Sequence, residues 1–162
     1  MPVDWADSMK RALPLLLLAG LLTGTEATAA EPVLDEAFFL NSADKADRMG
    51  DTNGAVQNYQ SAIVYAPNDP LPYLKLGEFY AKRDEAELAQ RYYLLALDVE
   101  PAYVPALRGL ALLDVARGDR AGALEQRELL LRACGASCPE IALVDKALSE
   151  STGVLDRNRS TQ

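Results

Sequence analysis

The stretch AQRYYLLALDVEP, residues 89–101, repeats the pattern of an earlier stretch, AVQNYQSAIVYAP, residues 55–67. Both contain Ala, Tyr, Ala and Pro at the same offsets, so each residue of the later stretch lies 34 positions after its counterpart. A third stretch in the same register runs from residue 107 to residue 135. A period of this length predicts one structural unit copied along the chain.

Each unit has the pattern of two helices joined by a turn. In the second unit, Tyr73, Leu76, Gly77 and Tyr80 recur at helical spacing. The segment KRDEAE then interrupts the apolar pattern, which resumes at Ala89. The turn segments GDTNG, KRDEAE and RGDRAG contain the residues that end one helix and begin the next, so the sequence predicts a series of helical hairpins.

The small residues predict where these helices cross closely. Two helices approach to about 8–10 Å only where the facing side chains are small. The positions that meet this condition are Ala55, Ala62, Gly77, Ala89, Ala96, Ala111 and Ala123. Tyr59, Tyr80 and Tyr93 are expected to fill the space beside them, so these residues are interpreted as packing residues rather than chemical ones.

The unit resembles the tetratricopeptide repeat (TPR), with the closest match in the second copy. The resemblance covers residues 34–135 as three units, at about 36–69, 70–103 and 104–135. It implies an all-α fold, a right-handed helical solenoid of three hairpins. Arg127 stands where the pattern has an aromatic residue, Leu130 where it has Ala and Gly135 where it has Pro. Such departures are typical of end repeats.

A further amphipathic helix is expected after the third unit, at residues 138–151. Its apolar stripe consists of Ile141, Val144, Ala147 and Leu148. A helix with one polar side would cap the last hairpin. Residues 152–162 have little apolar surface to bury, so they are expected to form a disordered tail.

Residues 1–30 have the composition of a secretory signal peptide. MKR at 9–11 is followed by an apolar run from Leu13 to Leu22 and by small residues up to Ala30. Ten residues extend about 15 Å as a helix, half of the roughly 30 Å hydrocarbon core, so no membrane span is expected after cleavage. The two acidic residues before MKR favour translation from Met9. The mature chain is therefore predicted to be exported, into the periplasm.

The composition argues against several functions. The formal net charge is −8, which disfavours binding to nucleic acid. The chain has no His, the commonest general base and a common zinc ligand. We therefore expect no catalytic residues, no metal and no cofactor, with an enzyme using the acidic surface or the cysteines as the least favoured class.

Cys134 and Cys138 lie in the loop before the predicted capping helix. In an exported protein, a close and even pair favours a disulfide. Two free thiols, or a redox or metal site, are the alternatives. Three residues separate the pair, whereas a thioredoxin-like motif has two.

The TPR resemblance implies a concave groove, lined by the first helix of each unit, that receives segments of a protein partner. The residues at the matching positions are Leu40, Asp44, Asp47, Arg48, Leu71, Leu74, Glu78, Lys82, Arg108, Leu112 and Val115. Asp44 and Glu78 stand where family members that clamp a terminal carboxylate have cationic donors. The groove is therefore predicted to suit a helix or extended segment with apolar anchors and some basic residues; a merely solvated groove is the alternative.

These observations favour a non-enzymatic protein–protein interaction module or assembly adaptor of the bacterial cell envelope. The alternative is a self-associating structural subunit of an envelope complex, whose open stack ends pair with another copy.

Overall fold

The structure is a computed structural model that describes the backbone of residues 34–159 and the side chains up to residue 151. The segment interpreted as a signal peptide, residues 1–30, lies outside the described residues. Between residues 34 and 159 there are seven α-helices and no strand. They are α1 (Glu36–Arg48), α2 (Thr52–Tyr65), α3 (Pro70–Ala81), α4 (Ala86–Val99), α5 (Val104–Arg117), α6 (Arg120–Cys134) and α7 (Pro139–Arg159).

The helices pair in chain order into three hairpins, α1 with α2, α3 with α4 and α5 with α6. Successive hairpins then pack side by side, and α7 packs against α5 and α6. This position is the one that the first helix of a fourth hairpin would occupy. The prediction of an all-α repeat fold is therefore confirmed.

Aspartates begin several of the helices. The carboxylates of Asp35, Asp51, Asp69 and Asp119 accept hydrogen bonds from backbone N–H groups in the first turns of α1, α2, α3 and α6. Such caps stabilise a helix by about 1 kcal/mol each, because they satisfy N–H groups that have no partner within the helix. Gly118 ends α5 in the left-handed conformation, which residues with a side chain rarely adopt.

The predicted small residues lie where helices meet. Ala55, Ala62, Ala89, Ala96, Ala111 and Ala123 are all fully buried.

The ring of Tyr93 lies between two glycines of neighbouring helices. A Cβ atom added to Gly77 of α3 would lie 2.8 Å from this ring, and one added to Gly109 of α5 would lie 2.7 Å from it. Neither distance is compatible with an unshifted side chain, so the two glycines make the space for the tyrosine.

The joint between α5, α6 and α7 is apolar inside and charged outside. Cys138, Ile141, Val144 and Leu148 are buried against residues of α5 and α6. At the surface, the Arg127 guanidinium forms a bidentate ion pair with the Asp145 carboxylate of α7, with Nη2 at 2.9 Å from Oδ2.

The end of α7 corrects one prediction. The helix continues to Arg159, whereas the sequence analysis ended it at residue 151 and expected a disordered tail from residue 152. The backbone of residues 152–159 is helical. The single glycine in this stretch, Gly153, costs only about 1 kcal/mol relative to Ala, so it is insufficient to end an established helix.

Candidate binding groove

An open apolar pocket lies between α3, α4, α5 and α7. Its volume is about 570 Å³. The residues that line it are Glu78, Ala81, Lys82, Tyr93, Arg108, Gly109, Leu112, Leu113, Ala116 and Leu143. Most of them belong to α3 and α5, the first helices of the second and third hairpins. Leu143 comes from α7 and remains 50% exposed.

The structure brings four of the predicted groove residues together in this pocket: Glu78, Lys82, Arg108 and Leu112. Leu74 is a correction, because it is only 4% exposed and belongs to the core between α3, α4 and α5. Residues of α4 and α5 cover it, although it lies on the same helix face as Glu78, one turn before it.

The other apolar members of the predicted set pack partly against the three core clusters. Leu40 contacts the cluster of the first hairpin, Leu71 that of the second and Val115 that of the third. All three are half-buried. Their apolar surface therefore stabilises the stack as well as contributing to its surface.

The carboxylates predicted for the groove are held by partners within the chain. The Tyr59 hydroxyl donates a hydrogen bond to Asp44 at 2.6 Å, and the Arg83 guanidinium donates to Asp47 at 2.6 Å. Glu78 pairs with Lys75 at 3.3 Å and with Arg108 at 3.6 Å. Apart from the Lys75–Glu78 pair, which lies within α3, these contacts join different helices or the turns that follow them, so Asp44, Asp47 and Glu78 have structural roles.

The cations of this face are also largely engaged. Arg83 lies over the Phe79 ring, 3.6 Å from its centroid, besides pairing with Asp47. Lys75 and Arg108 share Glu78. Lys82 and Arg48 are exposed and form no ion pair within the described part of the chain.

Acidic residues gather where the first helices of the hairpins begin. We call this set the acidic edge; it consists of Asp35, Glu36, Asp69 and Glu100. Burial raises the pKa of Tyr103, and the nearby charges of Asp69, Glu100, Glu78 and Glu36 raise it further. The pKa of Glu36 is raised by burial and then by the charges of Asp69 and Asp35. These like charges therefore lie close enough to act on one another.

The pKa values of two of the repeat tyrosines, Tyr93 and Tyr59, are also raised. Burial, followed by the charge of Glu78, raises the pKa of Tyr93 to about 12. The pKa of Tyr59 rises because of burial, the hydrogen bond to Asp44 and the surrounding carboxylates. Both phenols therefore stay protonated at neutral pH and act as packing groups.

The described residues contain one buried charged side chain, Asp114 of α5. Burial raises its pKa, and the charge of Asp119 raises it further. Its carboxylate faces Gly122, where an added Cβ atom would lie 2.9 Å from Oδ2. Asp114 does not line the groove pocket, so it forms no acid–base arrangement there.

The two cysteines lie at the α6–α7 joint, away from the pocket. Their Cα atoms are 5.7 Å apart, within the range for a disulfide, and their sulfur atoms are at bonding distance. Glu140 places a carboxylate oxygen nearby, so the three side chains could also hold a metal ion if the thiols were reduced.

Six residues that line the pocket were not predicted for the groove: Ala81, Tyr93, Gly109, Leu113, Ala116 and Leu143. Leu143 lies 34 positions after Gly109 and so holds a first-helix position of the repeat. Continuing the repeat register into α7 would have identified it.

Comparison with known proteins agrees with this architecture. Residues 48–84 match the family model described as TPR repeat. The TPR2B domain of yeast Sti1, in a structure described as a pHsp70 complex, is similar with a TM-score of 0.62 and 22% identity. That similarity covers 71% of this chain and 96% of the other. The fold is that of a TPR domain.

A second TPR structure is nearly as similar. The first TPR of Spaghetti (RPAP3), bound to the HSP90 peptide SRMEEVD, has a TM-score of 0.60 and 15% identity, again over 71% of this chain and 96% of the other. No curated protein matches the sequence significantly. Within the residues that the structure describes, none of the helices is both long and apolar enough to cross a membrane.

Proposed function

We propose that this protein is a non-enzymatic protein–protein interaction module that binds a segment of another protein in the groove between α3, α5 and α7. The observation that carries the proposal is the pocket of about 570 Å³ with the half-exposed Leu143 at its side. Pockets of this size, apolar with a few polar groups at the rim, are typical binding sites.

A partner would gain binding free energy by burying an apolar side chain in the pocket. Leu112, Leu113 and Leu143 leave apolar surface accessible beside Tyr93. Burying one leucine-sized side chain there would contribute about 1.5–3 kcal/mol. Interface energy is commonly concentrated in such central apolar anchors.

The two similar structures support a protein or peptide partner, because one is described as a pHsp70 complex and the other as bound to an HSP90 peptide. Their low identity limits the comparison to the fold, so the partner's chemistry has to come from this chain's own residues.

The test is partner capture by three forms of the protein. Leu143→Asn places a polar group in the pocket, and Leu94→Asn makes the same change on α4, outside the pocket, at a similarly exposed position (46% exposed). We expect the wild type and Leu94→Asn to retain the same partner from envelope extract and Leu143→Asn to lose it. Equal capture by all three forms would contradict binding in the groove.

We further propose that the module acts outside the cytoplasm, as an assembly adaptor of a bacterial cell envelope. The support is the signal-like composition of residues 1–30, with cleavage after Ala29 or Ala30. N-terminal sequencing of the mature protein from fractionated cells tests this. A cytoplasmic protein that retains Leu13–Leu22 would contradict it.

We also propose that Cys134 and Cys138 form a disulfide, because their Cα separation fits one and an exported chain meets oxidising conditions. Mass measurement of the non-reduced protein, before and after alkylation, decides the question. Two alkylated thiols in the untreated mature protein would overturn it.

Self-association is the second candidate function. The first hairpin has no capping helix before it in the described residues, and it exposes Leu34, Val64 and Tyr65. Light scattering over a range of concentrations distinguishes the two functions, because an isolated binding module stays at one mass while a self-associating subunit does not.

A further inference from the structure

We propose, on the basis of the binding function above, that the groove takes a cationic segment. Its apolar side chain would lie beside Leu143, and its Lys or Arg side chains would reach the acidic edge around Tyr103. The occupant is thus a basic stretch of a partner protein rather than an acidic one.

The cations of the groove are largely neutralised by partners within the chain. Arg83 is paired with Asp47, and both Lys75 and Arg108 lie within ion-pair distance of Glu78. Among the residues that line the pocket, Lys82 is the cation that forms no ion pair. An acidic segment entering the pocket would therefore pair with Lys82. It would have to compete with Glu78 for Arg108.

The carboxylates of the acidic edge, in contrast, are not neutralised by cations. Asp35 and Asp69 accept backbone N–H groups as helix caps, and such bonds leave the negative charge in place. None of the ion pairs of the described residues includes Glu36 or Glu100. A cation placed among these carboxylates would relieve their mutual repulsion.

The pocket and the acidic edge lie along the same helix, α5. Tyr103 is the N-cap of α5, and Arg108, which lines the pocket, lies five residues further along it, about 7.5 Å at 1.5 Å per residue. The charge of Glu78 in the pocket also acts on Tyr103. The two regions are therefore neighbours, within reach of one short segment. The formal net charge of −8 would also steer cationic segments towards the protein at low ionic strength.

The test uses three short synthetic peptides that share a central leucine. Their flanking residues are all Lys, all Gln or all Glu, and binding is measured by fluorescence anisotropy at low and at physiological salt. We expect the Lys peptide to bind tightest and the Glu peptide weakest. The difference between them should narrow as salt rises, because surface charge interactions are screened.

A pair of variants locates the effect. Glu36→Gln with Glu100→Gln removes two charges of the acidic edge, and should weaken binding of the Lys peptide roughly three- to tenfold. Glu87→Gln with Glu125→Gln removes the same charge from exposed positions on α4 and α6. This control should leave the affinity unchanged.

The outcomes separate this inference from the function on which it rests. The inference of a cationic segment would be overturned if the Glu peptide bound more tightly than the Lys peptide. It would also be overturned if the edge and control variants lost equal affinity for the Lys peptide. If Leu143→Asn still abolishes peptide binding in either of these cases, the groove remains the binding site. Binding of all three peptides that is unaffected by Leu143→Asn would overturn the groove itself.

Two further results would also overturn the inference. One is the absence of binding by any of the three peptides, in which case capture by the Leu143→Asn and Leu94→Asn variants still decides the proposed function. The other is a concentration-dependent increase in mass that Leu143→Asn abolishes, because a second copy would then be the occupant of the groove.

Discussion

Tyr93 and Arg127 hold the same position in two consecutive repeats, yet they join the helices around them in different ways. Tyr93 is buried, with its ring between Gly77 and Gly109. Arg127 is partly exposed and pairs with Asp145 at the surface. The packing of α4 against α3 and α5 thus depends on the shape of the Tyr93 ring. The packing of α6 against α7 instead combines a surface ion pair with the apolar residues of α7.

The difference follows from what stands opposite each residue. Tyr93 faces Gly109, while the corresponding residue of α7 is Leu143. Because Arg127 binds Asp145 instead of occupying that space, the Leu143 side chain is left to line the pocket. The departure of the third repeat from the family pattern therefore contributes to the groove.

The largest expected effect comes from removing the interior ring. Tyr93→Ala leaves a cavity between Gly77 and Gly109 and should lower the free energy of unfolding by about 3–5 kcal/mol. Arg127→Ala, at the same repeat position, should cost under about 1 kcal/mol because its ion pair is partly solvated. Urea denaturation of the two variants measures the difference. Equal losses would contradict the comparison.

The next effect tests whether the glycine makes room for the ring. Gly109→Ala brings Cβ into the Tyr93 ring and should destabilise the protein by about 1–3 kcal/mol. In the Tyr93→Ala background the same change should be neutral or stabilising, because Ala favours a helix by about 1 kcal/mol over Gly. Additive losses in the double-mutant cycle would show that the ring and the glycine are independent.

The third effect belongs to the α6–α7 joint. If the proposed disulfide is present, reduction of the wild type should lower the free energy of unfolding by about 2 kcal/mol, the entropy of closing so short a loop. Partner binding should persist, because Ile141, Val144 and Leu148 still hold α7 in place. Denaturation and peptide binding with and without a dithiol measure both effects. Loss of binding on reduction would show that the disulfide, rather than the apolar stripe, positions Leu143.

The smallest effect is the pH dependence of the surface ion pair. The hydrogen bond from Arg127 lowers the pKa of Asp145 in the folded state. Its contribution is therefore present above the unfolded value, about pH 3.9, and is lost as pH falls through the lower folded value. Asp145→Asn should cost about 0.2–1 kcal/mol at neutral pH and nothing at strongly acidic pH. A cost that does not change between these conditions would contradict the ion pair.

Much of the fold was predictable because its determinants are local. The 34-residue interval, the turn segments and the buried alanines all follow from the sequence, and the observed hairpins agree with them. Leu74 was placed wrongly: it shares a helix face with Glu78, one turn further on, but residues of α4 and α5 cover it, and spacing along one helix does not show which neighbours lie over it. The end of α7 was also wrong, because residues 152–159 remain helical although they have little apolar surface to bury.

The amino-acid sequence alone determined that this chain would form tandem helical hairpins, because helical periodicity and turn residues act over a few positions. Only the tertiary structure decided which side chains meet at a distance: Tyr93 with Gly109, Asp47 with Arg83, and Leu143 with the pocket. These contacts depend on how one hairpin packs on the next, and that packing is set jointly by residues far apart in the chain.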